Sequence, residues 1–240
     1  MKFDIFVDSS ANLTEKMIED CGIRVISYVC TCDGKEVICY KDGNTFAQSA
    51  KDFYAAMSAG ADVSTSLITQ ERFEAEWEPS LKEGRDVLMF TISSQVSGTN
   101  HQANLAAEAL MKKYPARKIY VADSVNSSLG EGLLAVKAAN LRDMGETLDT
   151  CAKWIENNKW KMNSYFTVSD LKYLRKGGRI SGVTALAGTL LNIKPILKAD
   201  GNGRIVMCGR VKGRRKSVAE LADYYKNYAV FPEGQTAAIC

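Results

Sequence analysis

The chain carries a single histidine, His101, in 240 residues. That scarcity takes the commonest metal ligand and general base away from all but one position. No stretch reaches the roughly 18 apolar residues of a membrane span. Met1-Lys2 runs straight into Phe3-Asp4-Ile5-Phe6-Val7 with no h-region, so no signal peptide is expected. These absences predict a cytoplasmic protein with no stable membrane insertion. Neither G-x-x-x-x-G-K-[ST] nor G-x-G-x-x-G occurs, which sets nucleotide binding aside. There is no G-x-S-x-G elbow to present a nucleophilic serine. Net charge is also scarce: 31 Lys and Arg against 28 Asp and Glu leave +3, too little to imply nucleic acid or an anionic membrane. The seven cysteines are odd in number and scattered through apolar stretches, which reads as buried thiols in a reducing compartment rather than a disulfide framework. Cys30-Thr31-Cys32 lacks the second ligand pair a structural zinc site requires, so no metal and no cofactor is expected.

What is present is an ordinary globular composition, 46% apolar and 25% charged. The length fits one large α/β unit or two small ones. Apolar runs at Phe3 to Val7, Asp86 to Ile92 and Lys118 to Ala122 are strand-length. They alternate with helical patterns at Leu13 to Asp20, Phe46 to Ala59, Gln70 to Lys82, Gln102 to Lys113 and Gly130 to Asp143, most of them closed by glycine. Ile23 to Cys32 and Glu36 to Tyr40 flank Asp33-Gly34, a hairpin signal. Ser64-Thr65-Ser66 reads as a loop. Beyond Trp160 the order becomes mixed. Strands are predicted at Ser164 to Val168, Ile193 to Leu197 and Arg204 to Val211, and helices at Leu171 to Arg175 and Ser217 to Tyr228. The expected fold class is α/β, with an N-terminal parallel-sheet domain over residues 1–159 and a smaller α+β domain over 160–240.

In open parallel sheets the carboxyl ends of the strands line the ligand crevice, which places Asp8-Ser9, Ser93 to Thr99 and Asp123-Ser124 on one rim. Ser97-Gly98-Thr99 stands at a predicted helix start, where hydroxyls, unpaired N–H groups and the helix dipole favour an anion. Thr65-Ser66 offers a second hydroxyl pair. The plainer alternative is that these residues only cap helices, their commonest task.

Taken in order along nearly the whole chain, several short segments resemble the DegV family of bacterial fatty-acid-binding proteins. They are Asp8-Ser9-Ser10, Thr65-Ser66, Ile92-Ser93-Ser94 with Ser97-Gly98-Thr99, Asp123-Ser124, Leu171-Lys172-Tyr173-Leu174 with Lys176-Gly177-Gly178-Arg179-Ile180, and Ile193-Lys194-Pro195-Ile196. The resemblance implies a two-domain α/β fold with a long-chain fatty acid in a buried tunnel between the domains. Its carboxylate would be held by Thr65 and Ser97, helped by Ser66, Gly98 and Thr99. It also implies a non-catalytic carrier subunit that serves a separate ATP-binding fatty acid kinase subunit, which makes acyl-phosphate. Arg179 is a candidate to neutralise the carboxylate, and Val183 to Leu191, with Gly182 and Gly188, a candidate tunnel wall. About 14 methylenes at roughly 0.8 kcal/mol each would contribute about 11 kcal/mol, so the tail supplies affinity and the polar atoms orientation. The family pattern continues past a strand like Thr236 to Cys240 into a His-Gly turn and a further helix. The expectation is therefore that the carboxyl-terminal end is missing, together with a histidine near the ligand.

Two other classes remain open. One is a serine-type esterase using Ser97 with His101 as its base. The other is a basic regulatory or nucleic-acid-binding module built on Arg204, Arg210, Lys212, Arg214, Arg215 and Lys216. No aromatic residues interleave those charges, so docking of an acidic protein partner is preferred to nucleic acid.

Overall fold

A computed structural model describes residues 3–38, 46–180 and 192–240. The chain divides into two compact units, Met1–Met162 and Asn163–Cys240.

The first unit is built on four parallel strands in the order β2-β1-β6-β7: β1 Phe3–Asp8, β2 Ile23–Ile26, β6 Asp86–Thr91 and β7 Ile119–Asp123. Because side chains alternate along a strand, Phe3, Ile5 and Val7 point to one face and Phe6 to the other. Both faces are covered. Helices α1 (Glu15–Cys21), α5 (Leu129–Asp143) and α6 (Leu148–Asn158) pack on the first through Leu134, Ala135, Ala138, Leu148 and Ile155. Helices α3 (Gln70–Lys82) and α4 (Thr99–Lys113) pack on the second through Phe73, Trp77, Ala103, Ala106 and Leu110. This double burial explains why β1 and β6 read as continuous apolar runs rather than alternating ones.

A second, antiparallel sheet in the order β4-β3-β5 is attached to this layer: β3 Val29–Cys32, β4 Lys35–Ile38 and β5 Val63–Thr65. The hairpin predicted at Asp33-Gly34 forms, with both residues at positive φ, 48° and 76°. Helix α2 spans Phe46–Ser58. Two expectations are corrected here. The run Ile23 to Cys32 is two strands in different sheets, broken at Ser27-Tyr28. The segment predicted as a loop at Ser64 to Ser66 contributes Ser64 and Thr65 to β5, because Thr65 and Val63 register against Cys30 and Cys32.

The second unit holds the antiparallel sheet β10-β9-β8, with β8 Tyr165–Thr167, β9 Ile193–Ala199 and β10 Ile205–Lys212. Helix α7 is Lys172–Lys176 and helix α8 is Arg214–Tyr228. Tyr224 of α8 stacks on Tyr165 at 4.7 Å between ring centroids, and Gly209 leaves the room its hydroxyl needs. Helix α8 begins three residues earlier than the sequence suggested, so Arg214, Arg215 and Lys216 form its first turn. Only Gly178 of the Gly177-Gly178 pair is left-handed, at φ 71°. Thr236 to Cys240 is exposed and not a strand, since no described strand pairs with it. Of the described cysteines only Cys30 and Cys151 are buried, and Cys240 is exposed, which corrects the uniform reading of buried thiols. The candidate tunnel wall at 183–191 lies outside the described residues.

Candidate functional site

The carboxyl ends of β1, β6 and β7 lie side by side, as parallel pairing requires, and carry Asp8, Ser93 and Asp123-Ser124 on one rim. Most of these groups face inward and hold the loops together. Asp8 is fully buried: Oδ1 accepts from Ser10 N at 2.8 Å and Oδ2 from Ile92 N at 2.8 Å. Ser93 N donates to Asn126 O at 2.8 Å, and Asp123 Oδ1 accepts from Ser94 N at 3.2 Å and Val125 N at 2.9 Å. The rim acids are scaffold.

Outward of them stand the two hydroxyl loops. Ser97 is half-buried and Gly98 exposed, while Thr99 is fully buried at the first position of α4. The helix thus starts three residues before the predicted Gln102, with Gly98, which has no side chain to cap the first turn, as N-cap. Ser97 Oγ instead accepts from Thr99 N at 3.2 Å and lies 2.9 Å from Thr99 Oγ1. The first-turn N–H groups beyond Thr99 N are suited to an anion. Thr65 and Ser66 are both exposed at the end of β5. Ser66 donates twice to Val29 O, from N at 3.2 Å and from Oγ at 3.1 Å.

The two loops are neighbours. A Cβ built on Gly98 would come within 3.3 Å of Leu67 Cδ2, so glycine at 98 serves a close approach between the loops rather than an unusual φ, which is −70°. One short stretch of chain, residues 28–30, binds both. Cys30 registers against Thr65, Val29 O holds Ser66, and Tyr28 Oη lies 3.1 Å from Thr99 Oγ1 and 3.1 Å from Asp8 Oδ2. Tyr28 gave no signal in the sequence beyond β propensity, because its role depends on the strand break beside it.

Behind the rim, Glu131 of α5 is fully buried, accepts from Ser10 Oγ at 2.8 Å through Oε2 and leaves Oε1 without a partner. Burial, and then the Asp8 carboxyl, hold its pKa well above the ordinary value. Burial likewise raises Asp8 despite the hydrogen bonds it accepts. Nothing in the sequence pattern marked Glu131, which reads as an ordinary first-turn acid.

His101 is exposed on α4. Among the described contacts the Ser97 hydroxyl bonds to Thr99 rather than to His101, the base of the esterase alternative. Arg179 is exposed in the second unit, where its guanidinium donates to Gly177 O. Arg210, Lys212, Arg214, Arg215 and Lys216 are all exposed. Among the described residues no group of His, Cys, Asp and Glu is arranged to hold a metal ion, and no helix is long and apolar enough to cross a membrane.

Comparison with known proteins agrees along the whole length. A family model described as "Uncharacterised protein, DegV family" matches residues 2–240. A DegV domain-containing protein of Clostridium perfringens is 37% identical over 238 residues, covering 99% of this chain and 81% of the relative. Among solved structures, a DegV family protein from Thermus thermophilus, described by its fatty acid binding, superposes with a TM-score of 0.81 at 28% identity, over 95% of this chain and 78% of that one. A Thermotoga maritima protein said to reveal a fatty acid binding function gives 0.80 at 28% identity, over 95% and 77%. The fold and the family model together establish that this chain belongs to the DegV family.

Proposed function

We propose that the protein binds one long-chain fatty acid and holds its carboxylate between Thr65-Ser66 and Ser97-Gly98-Thr99. The observation that carries this reading is the union of the two hydroxyl loops on residues 28–30, in a fold whose solved relatives at 28% identity are described as binding fatty acids. A carboxylate taken out of water must be met by donors, and hydroxyls with uncapped helix N–H groups provide them without burying a cation. Arg179 is proposed as a further ligand-binding residue on its charge alone.

The protein acts, in this reading, as a carrier. The bound carboxylate is presented to a separate ATP-dependent kinase subunit; a carboxylate oxygen takes the γ-phosphoryl group from ATP, and ADP leaves. The exposed Arg210, Lys212, Arg214, Arg215 and Lys216 suit an acidic partner surface. Support for the kinase step comes from the family resemblance alone.

Titration with palmitate tests the ligand site. Hydrogen bonds to a charged group contribute about 1.5–3 kcal/mol each, so Thr65→Ala/Ser97→Ala is expected to weaken palmitate binding about a hundredfold or more. Unchanged affinity in that double variant contradicts the assignment of the anchor. For the kinase step, Arg214→Glu/Arg215→Glu should lower acyl-phosphate formation with the kinase subunit while leaving palmitate affinity unchanged.

A further inference from the structure

Tyr28 sits where the chain leaves the parallel sheet for the antiparallel one, between β2 and β3. Its hydroxyl joins Asp8, Thr99 and Ser97 into one run of oxygens, with Ser97 close to Tyr28 as well as to Thr99. From Asp8 Oδ2 to Tyr28 Oη is 3.1 Å, from Tyr28 Oη to Thr99 Oγ1 3.1 Å, and from Thr99 Oγ1 to Ser97 Oγ 2.9 Å. The line starts at a carboxyl with no solvent exposure and ends at half-buried Ser97. Burial and the neighbouring Asp8 push the phenol far above its ordinary range, so Tyr28 keeps its proton.

A phenol has one hydrogen and cannot donate in both directions. If it points to Asp8, Thr99 donates back to Tyr28. If it points to Thr99, Asp8 must carry a proton to keep its contact, and Thr99 is then free to donate to Ser97. In both arrangements the Thr99 hydroxyl, which is fully buried, has a partner on its inner side. Ser97 can therefore turn its hydrogen toward a ligand without stranding a buried hydroxyl. Without Tyr28 Oη, the only side-chain oxygen described beside Thr99 Oγ1 is Ser97 Oγ, and the two hydroxyls would satisfy each other at the ligand's expense.

We propose that Tyr28 is a positioning residue of the carboxylate anchor: by giving the buried Thr99 hydroxyl an inner partner, it frees Ser97 to donate to the bound acid. This inference rests on the fatty-acid reading above. The backbone strengthens it, since residues 29 and 30, next along the chain, hold Ser66 and Thr65. Tyr28 thus fixes one hydroxyl loop by its side chain and the other by its neighbours.

The test compares palmitate with hexadecanol, which share a tail and differ in the anionic head. Tyr28→Phe removes one oxygen and is expected to bind palmitate about tenfold more weakly, the loss of roughly one hydrogen bond, with hexadecanol affinity changed less than about twofold. Equal affinity of the variant and the wild type for palmitate overturns the proposal, and so does an equal loss for acid and alcohol. Should Tyr28→Phe fold poorly, Thr99→Val interrupts the same line from the other side and carries the same acid-selective expectation. In a double-mutant cycle the two losses should fall well short of additive; additive losses also overturn it. A wild type that binds no palmitate sinks the fatty-acid reading and this inference together. A wild type that binds, with Tyr28→Phe unaltered, sinks the inference alone.

Discussion

Two glycines show how much a single missing Cβ decides. A Cβ on Gly132 would lie 2.7 Å from Ala11 O and 2.8 Å from Leu13 Cδ2, and the carbonyl is backbone that cannot step aside. Gly132→Ala is therefore expected to destabilise the fold by about 1–3 kcal/mol, measured as a lower urea midpoint at unchanged slope. Gly98→Ala meets only Leu67 Cδ2, the end of a flexible side chain, at 3.3 Å. Its loss of stability should be the smaller of the two. Residue-level legibility was uneven for a physical reason. Thr65, Ser66, Ser97, Gly98 and Thr99 were singled out as the proposed anchor because they form short motifs in a recognisable order, and the structure brings their two loops together. Tyr28 and Glu131 were not found, because their partners lie far away in sequence: Thr99 is 71 residues from Tyr28, and Ser10 is 121 from Glu131.

At the scale of elements, the helices were the most readable part, because their signals are local. Thr14, Thr69 and Thr147 stand in extended conformation just before α1, α3 and α6, and each accepts from the N–H three residues on. Thr147→Ala removes a cap from an exposed position without disturbing Leu148, Cys151 and Ile155, the face α6 buries. The expected cost is about 1 kcal/mol, read by chemical denaturation. Strands β1, β6 and β7 were equally plain, since double burial makes them continuous apolar runs. The errors cluster in the small sheet. β5 is three residues long and polar, so only its pairing with β3 identifies it, and no local pattern separates β2 from β3 at Ser27-Tyr28. Helix α4 was started late for a related reason: its N-cap place is taken by Gly98, which gives no capping hydroxyl to mark the start, and Thr99 is already the first helical residue.

For the whole molecule, the buried pair Asp8 and Glu131 ties folding to pH. Glu131 has its pKa raised well above the ordinary 4.5, and Asp8 is raised from 3.8, in both cases first by burial. The folded chain therefore retains protons that the unfolded chain has released. The stabilisation those protons bring is complete below the ordinary carboxylate values and is lost as pH rises through the raised ones. Thermal stability of wild type should accordingly carry a component that declines as pH climbs above about 4.5, and Glu131→Gln, which cannot ionise, should show a shallower decline. Parallel curves for the two proteins would place the retained proton elsewhere. The division of the chain into two units, with the parallel sheet confined to the first, gives every group of the proposed hydroxyl anchor a place in one compact body. The central claim is that this anchor holds a fatty acid carboxylate, and the most direct measurement is mass spectrometry of an organic extract of the purified protein. The account predicts about one C14 to C18 acid per chain from wild type and none from Thr65→Ala/Ser97→Ala. An extract empty of acid from a wild type that also takes up neither palmitate nor oleate would contradict it.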